Sequence, residues 1–216
     1  MFPFDAEALD AFYASYNTAV WPAQAVALAL ALAAVWLSAA PRGGGVRVIG
    51  AILAAAWLWC GLVFFLRHFA AYDFMAPVYG WAFVAQAALL LWGLVWRPPP
   101  LRWRAEARGW IALAVLVVAL FGLPALTAFG KAGAGDFGWA AARLVGVAPG
   151  PTVLFTLGLL LLAGGRRRWL LMAIPLAWCA VAGVTAWALG VAEAWPLPVL
   201  GAAALLFAFR RGRETA

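Results

Sequence analysis

The sequence predicts an all-α membrane bundle of seven transmembrane helices, with the N-terminus outside and the C-terminus in the cytoplasm. Three observations predict it. Of 216 residues, 68% are apolar and 11% are charged, with a mean hydropathy of +0.97, a balance foreign to soluble globular domains. Seven apolar stretches follow one another, most of them near the roughly 20 residues a spanning helix needs. The arginines gather in alternate connections between those stretches, the bias by which positive residues set orientation.

Residues 1–18 are predicted to be an interfacial amphipathic segment. Met1–Asn17 lacks the basic start of a signal peptide and carries Asp5, Glu7 and Asp10. Leu9, Phe12, Tyr13 and Tyr16 recur at helical spacing, opposite Glu7 and Asp10, as in a short helix lying against the bilayer. Residues 19–209 form the transmembrane domain. Its spans are predicted at about Val20–Ala40, Val46–Leu66, Pro77–Trp96, Trp110–Phe129, Leu144–Ala163, Trp169–Leu189 and Trp195–Phe209. The seventh is short and would reach the interface through the snorkelling of Arg210 and Arg211. Residues 210–216 are a basic cytoplasmic tail.

The connections after spans 1, 3 and 5, with the tail, hold 12 of the 15 basic residues. The opposite side holds Arg67, Lys131 and Arg143 together with six of the eight acids. The net charge of +7 therefore reports orientation and attraction to anionic lipid headgroups at the cytoplasmic face. It is no nucleic-acid footprint, because no folded basic domain presents it. Most of the 14 tryptophans fall near span ends, as an interfacial belt does. Trp57, Trp59, Trp92 and Trp178 lie deeper, where packing is the expected role.

Polar side chains inside a membrane are costly and point to function. Here they concentrate in the outer half. Tyr13, Asn17, Trp21 and Gln24, spaced i, i+4, i+8 and i+11, lie on one face at the entry of the first span. Arg67 and His68 end the second span, Tyr72, Asp73 and Tyr79 follow, and Gln86 reaches deepest on the third. Thr127 ends the fourth span, and Thr152 and Thr156 are one turn apart on the fifth. The predicted binding residues are Asn17, Trp21, Gln24, Arg67, His68, Tyr72, Tyr79 and Thr152, converging on an outward-facing pocket. Arg67 should turn inward, with Trp21 and Tyr79 as walls. The cytoplasmic halves hold essentially Ser38 alone, which disfavours a continuous polar path for a small-solute transporter.

Several chemistries are excluded or weakened. The single lysine, Lys131, sits in an outer loop, so no span offers a Schiff-base amine for retinal. The single histidine cannot form a bis-histidine haem site, and no metal or cofactor is expected. Ser15 and Ser38 lack a histidine partner for serine catalysis. An enzymatic alternative remains in Asp73 and Asp136. Tyr72-Asp73, Gly133-Ala134-Gly135-Asp136 and Pro124-Ala125-Leu126 resemble the signatures of presenilin-type intramembrane aspartyl proteases, whose paired carboxylates share a proton to activate water. Their order differs from that family's, and both aspartates fall in loops instead of spans.

A broader resemblance runs along the chain. Tyr16-Asn17 with Trp21-Pro22-Ala23-Gln24 resembles the opening of a bacterial membrane family catalogued as a domain of unknown function. Gly146-Val147-Ala148-Pro149-Gly150-Pro151-Thr152, leading into Phe155-Thr156-Leu157-Gly158, is similar to its fifth-span signature. Ile174-Pro175-Leu176-Ala177-Trp178 resembles its following span. Gly150 stands where that family has cysteine. The resemblance implies a multi-pass protein of the bacterial inner membrane and brings no activity with it. The expected function is non-enzymatic: an outward pocket for a small or lipidic ligand, or an accessory role beside a membrane partner or a second copy.

The charge alternation makes a direct prediction. A reporter fused after Ala216 should be cytoplasmic, and a cysteine introduced at Asp5 should react with an impermeant thiol reagent in intact cells. Protection at Asp5, or an external C-terminus, would mean an even number of spans.

Overall fold

The computed structural model describes residues 6–39, 43–103, 106–129, 138–189 and 195–210. Among the described residues regular structure is helical, with one antiparallel bridge between Leu101 and Ala163. The helices are α1 (Ala6–Ala19), α2 (Ala23–Ala39), α3 (Gly45–Ala71), α4 (Ala76–Trp96), α5 (Ala107–Phe129), α6 (Pro149–Leu162), α7 (Arg168–Leu189) and α8 (Pro196–Arg210). Within α3, α4 and α5 the winding widens to π-helix over Trp59–His68, Leu91–Trp96 and Val118–Gly122.

Among the described residues four helices are long and apolar enough to cross a membrane: α3, α4, α5 and α7. The pair α1 and α2 adds a fifth if counted as one broken span, and α6 and α8 are shorter apolar helices. Large apolar side chains such as Trp36, Leu62, Trp81, Phe121, Val184 and Leu206 are exposed around the bundle. Soluble monomers rarely expose so much contiguous apolar surface, whereas lipid tails accept it. The helices thus have the length, composition and outer surface of a multi-pass membrane protein.

The break between α1 and α2 differs from the continuous face expected through Trp21. The two helices meet at 89°, and the turn lies at residues 20–22. Pro22 supplies no N–H to a helix and pushes the residue before it out of helical geometry. Trp21 consequently leaves the face shared by Tyr13 and Asn17 and is 70% exposed.

The apolar face of α1 is turned to the protein's own aromatic residues. The Phe12 ring lies 5.6 Å from that of Phe64 and 5.1 Å from that of Phe69, and Tyr16 meets Phe64 edge-on at 5.1 Å. On the flank, Asp10 pairs with Arg143 at 3.2 Å, and the Arg143 guanidinium lies 4.6 Å from the Tyr13 ring centre. These contacts seat α1 across one end of the bundle, hereafter the N-terminal face.

The other end is the basic face. Trp103 Nε1 donates to Ser38 Oγ at 3.1 Å, Arg108 Nη2 to the Ala163 carbonyl at 2.7 Å, and Arg168 Nη2 to the Ala208 carbonyl at 2.7 Å. These bonds collect the ends of α2, α6 and α8 and the starts of α5 and α7. At the N-terminal face Gly150 of α6 adjoins Leu197 of α8, since a Cβ on Gly150 would stand 3.3 Å from the Leu197 methyls.

Helix α6 is the centre of the bundle. It packs against α5, α7 and α8 and reaches α3, and 13 of its 14 residues are buried. A helix of 14 residues is about 21 Å long at 1.5 Å per residue, short of a hydrocarbon core of about 30 Å. Because its neighbours enclose it, α6 need not match the bilayer. Non-helical chain can occupy its ends, provided that chain is buried in protein.

A second backbone problem arises at Pro175 inside α7. Proline has no N–H, so the Leu171 carbonyl, four residues earlier, loses its helical donor. Gln86 of α4, fully buried, donates its Nε2–H to that carbonyl at 2.8 Å. The deepest polar residue in the sequence thus serves a neighbouring proline. Gln86→Leu should lower stability by about 1–3 kcal/mol, the cost of an unmet buried carbonyl. The same change should cost clearly less in a Pro175→Ala background, where residue 175 regains its N–H. Unfolding in detergent micelles would measure both, and equal costs in the two backgrounds would refute this role.

Candidate functional site

Residues 142–148 lead into α6 without helical structure. Val145, Gly146, Val147 and Ala148 are all buried. Buried backbone must find partners, all the more where no water reaches it. The Val147 and Ala148 N–H groups donate to the Leu144 carbonyl within the turn, and side-chain partners come from four places in the chain.

The N-terminal helix supplies the first set. Asn17 donates from Nδ2 to the Ala140 carbonyl at 2.7 Å and to the Ala142 carbonyl at 2.9 Å. The Tyr16 hydroxyl donates to the Val147 carbonyl at 2.9 Å and accepts from Trp59 Nε1 at 2.9 Å. Gln24 Nε2 ties the turn between α1 and α2 by donating to the Asn17 carbonyl at 2.6 Å.

Helices α5, α6 and α3 supply the rest. Thr127 Oγ1 accepts the Arg143 N–H at 3.1 Å. Thr152 Oγ1 accepts the Gly146 N–H at 2.8 Å and donates to the Ala148 carbonyl at 2.7 Å. The Cys60 thiol lies 3.7 Å from Thr152 Oγ1 and 3.9 Å from the Gly146 carbonyl. One turn along α6, Thr156 Oγ1 donates to the Thr152 carbonyl and accepts from Trp57 Nε1, both at 2.8 Å. Glycine is required at 146, where φ is +88° and an added Cβ would stand 2.8 Å from Ala27 Cβ.

Beside this turn lies a half-open groove of about 490 Å³ between α2 and α3. Ala23, Ala27, Ala31, Ala56, Trp59 and Val147 are among its walls, and Phe155 of α6 also lines it. The volume is about three times the ~150 Å³ apolar cavity known to stay dry and take up benzene. Val26 and Leu30, on its rim, are exposed, so the groove opens sideways from the bundle.

The predicted site residues divide into those the structure joins and those it separates. Asn17, Gln24 and Thr152 belong to the network around residues 140–148. His68 borders it: its ring meets Tyr16 edge-on at 5.2 Å, and its Nδ1 donates to the Val63 carbonyl at 2.9 Å. Arg67 is exposed, in contrast to the inward turn expected of it. It makes no ion pair with Asp73 or any other described residue. Tyr72 is 48% exposed. Tyr79 joins Phe65 and Trp178 in an aromatic cluster, 5.3 Å from Trp178. Asp73 accepts the Met75 N–H at 2.8 Å and so shapes the turn before α4. Asp136 lies outside the described residues.

Sequence reasoning missed the groove. Alanines in an alanine-rich chain carry no signal of a cavity, and Tyr16 and Trp59 read as interfacial or packing aromatics. Their mutual hydrogen bond joins residues 43 apart. Among the described residues no three histidine, cysteine or acidic side chains gather as a metal site would require, and Cys60 and Cys179 are buried free thiols.

Fold and outer surface define a helical protein of the multi-pass membrane class. The chain belongs to a family of unknown function, DUF6064, whose model matches residues 6–216. No curated protein and no solved structure matches it.

Thr152 offers a direct test of the network. Thr152→Val keeps the shape but removes both hydroxyl bonds, leaving the Gly146 N–H unmet. Stability should fall by about 1–3 kcal/mol, and Thr152→Ser should restore most of it. An unchanged Val variant in a micelle unfolding assay would remove the hydroxyl from the account.

Proposed function

We propose that this protein is a seven-span membrane protein of the bacterial inner membrane that takes a lipidic ligand laterally from the bilayer. Its N-terminus lies outside, its C-terminus in the cytoplasm, and α1 caps the outer end. The loop charges support that orientation, and the collection of the arginine-rich connections on one face agrees with it. Seven spans result when α2, α3, α4, α5, α6, α7 and α8 each cross between the two faces. The shorter α6 and α8 are admissible because α6 is enclosed by protein and α8 runs beside it.

The observation that carries the function is the groove of about 490 Å³. Its walls are almost wholly apolar, and its rim residues Val26 and Leu30 face outward. At that depth the surrounding medium is hydrocarbon, so the fitting occupant is an acyl or isoprenoid chain. Polar solutes find few partners there, because Asn17, Tyr16 and Thr152 are already bonded to backbone. At the N-terminal end, Gln24 shares its helical face with Ala27 and Ala31 (spacings of three and seven), and its Oε1 is buried without a partner among the described residues. The reading is non-enzymatic: Asp73 is engaged in a turn, and nothing brings a second described carboxylate to it.

The test is to fill the groove. Ala56→Phe places a ring between α2 and α3, beside Gly146, while removing none of the hydrogen-bonding side chains. Lipid species that co-purify with the wild type, counted by native mass spectrometry, should fall by about tenfold or more, the loss of roughly one well-buried chain contact of 1.4 kcal/mol. The melting temperature should stay near the wild-type value. Undiminished lipid adducts in a folded Ala56→Phe protein would refute the groove as the binding site.

A further inference from the structure

The groove has a direction as well as a volume. Helices α2 and α3 run antiparallel along it. A Cβ on Gly45, at the start of α3, would stand 3.8 Å from the Leu37 carbonyl oxygen near the end of α2. One on Gly146 would stand 2.8 Å from Ala27 Cβ and 4.0 Å from Ala56 Cβ. The lining residues therefore fall into levels. Val20, Pro22 and Trp59 lie beneath the N-terminal face, Ala27 and Ala56 flank the middle, and Ala31, Ile52 and Leu53 line the far end. Resting on the lipid reading of the groove, we propose that its occupant is one acyl chain of a membrane lipid drawn from the leaflet on the N-terminal side, with the headgroup at the turn between α1 and α2 and the chain end against Ala31, Ile52 and Leu53.

The length of the groove supports the choice of an acyl chain. From Ala23 to Ala31 it follows α2 for about 12 Å, close to the roughly 15 Å that one leaflet contributes to the hydrocarbon core. A long isoprenoid chain would need the groove to continue toward the basic face, and it does not. Ala31, Leu53 and Phe155 are almost wholly buried, and beyond them Gly45 closes on Leu37. A separate pocket of about 220 Å³ lies at the basic face over Leu161 and Leu162. There the Arg102 N–H donates to the Leu162 carbonyl at 3.2 Å and the Gly164 N–H to the Pro100 carbonyl at 2.9 Å, stitching the loop after α4 to the end of α6. That pocket shares no lining residue with the groove.

The two ends differ in a way that fixes the headgroup. Trp21 is exposed at the turn, and exposed indoles gather at headgroup level. Pro22 beside it is exposed and lines the groove. Trp36 marks the opposite level on α2, and the groove stops short of it. Just below the turn, Trp59 spends its N–H on Tyr16, and Tyr16 spends its O–H on the Val147 carbonyl. The walls are thus apolar from directly beneath the headgroup level, as a chain attached there requires.

Photolabelling tests the direction. Purified full-length protein is reconstituted in phosphatidylethanolamine vesicles holding a trace of one of two probes. Each probe is phosphatidylethanolamine with a diazirine on one palmitoyl chain, either beside the ester or at the chain's far end. Labelled residues are mapped by peptide mass spectrometry in the wild type and in Ala56→Phe. The ester-side probe should label Val20–Ala23 and Trp59, and the chain-end probe Leu30, Ala31 and Ile52. Filling the groove with Ala56→Phe should lower both by about tenfold, as for lipid adducts. A long polyprenol at the same mole fraction as an added palmitoyl lipid should displace the probes far less. The reversed order, or the same residues labelled by both probes, would overturn the direction and leave the groove a lipid site. Equal displacement by the polyprenol would overturn the acyl chain in the same way. Labelling undiminished by Ala56→Phe would overturn the lipid reading of the groove and this inference with it.

Discussion

Much of this structure follows from one requirement: a stretch of irregular backbone is buried where water cannot satisfy it. Residues 142–148 carry N–H and carbonyl groups into the bundle without a regular helix to pair them, and each group left unmet would cost several kcal/mol in such surroundings. The solution draws on distant parts of the chain. Tyr16 and Asn17 come from α1, Thr127 from α5, and Thr152 from the first turns of α6 itself. The position of α1 follows from this. Its aromatic residues cap the bundle because two of its polar residues are needed by the turn beneath.

The groove follows from the same turn. Gly146 can approach α2 closely because neither it nor Ala27 has bulk, and a single added Cβ would collide at 2.8 Å. Further along, small residues on α2 and α3 leave space that no large side chain fills. The 89° break after α1 sets the direction in which α2 descends. Proline at 22, alanine at 27 and 56, and glycine at 146 therefore act together, although none of them carries chemistry.

The architecture was legible to different depths in the sequence. Helicity and membrane character were plain from composition, since an apolar stretch has few alternatives to a spanning helix. The concentration of polar residues near one end was also legible: Gln24 bonds to the Asn17 carbonyl, and Asn17 and Thr152 bond to separate backbone groups of residues 140–148. Their partners were not legible. A side-chain amide bonded to a carbonyl 125 residues away leaves no periodic trace, and the carbonyl belongs to an alanine. Arg67 illustrates the opposite error: its charge drew attention, yet at the end of a span the favourable place for a guanidinium is outside. Gln86 shows how a polar residue deep in a span can be structural, because the proline it serves lies 89 positions later in the sequence. The residues quoted for the family resemblance recur in these accounts: Tyr16 and Asn17 serve the buried turn, Gly146 and Thr152 form it, and Pro175 creates the need that Gln86 meets.

The two cavities share a setting. A central helix of 14 residues is about 21 Å long, and at both of its ends the chain continues as irregular structure packed against the bundle. At its start the completion is the buried turn, with the groove beside Val147 and Phe155. At its end it is the stitched loop of residues 100–103, with the pocket over Leu161 and Leu162. The chemistry of each space follows from the face it opens on. Toward the N-terminal face the polar groups are taken up by backbone and the walls are left apolar, which suits a chain. On the basic face the loop brings arginines to the rim. The central helix is thus finished at each end by irregular chain, and a space lies beside each of those completions.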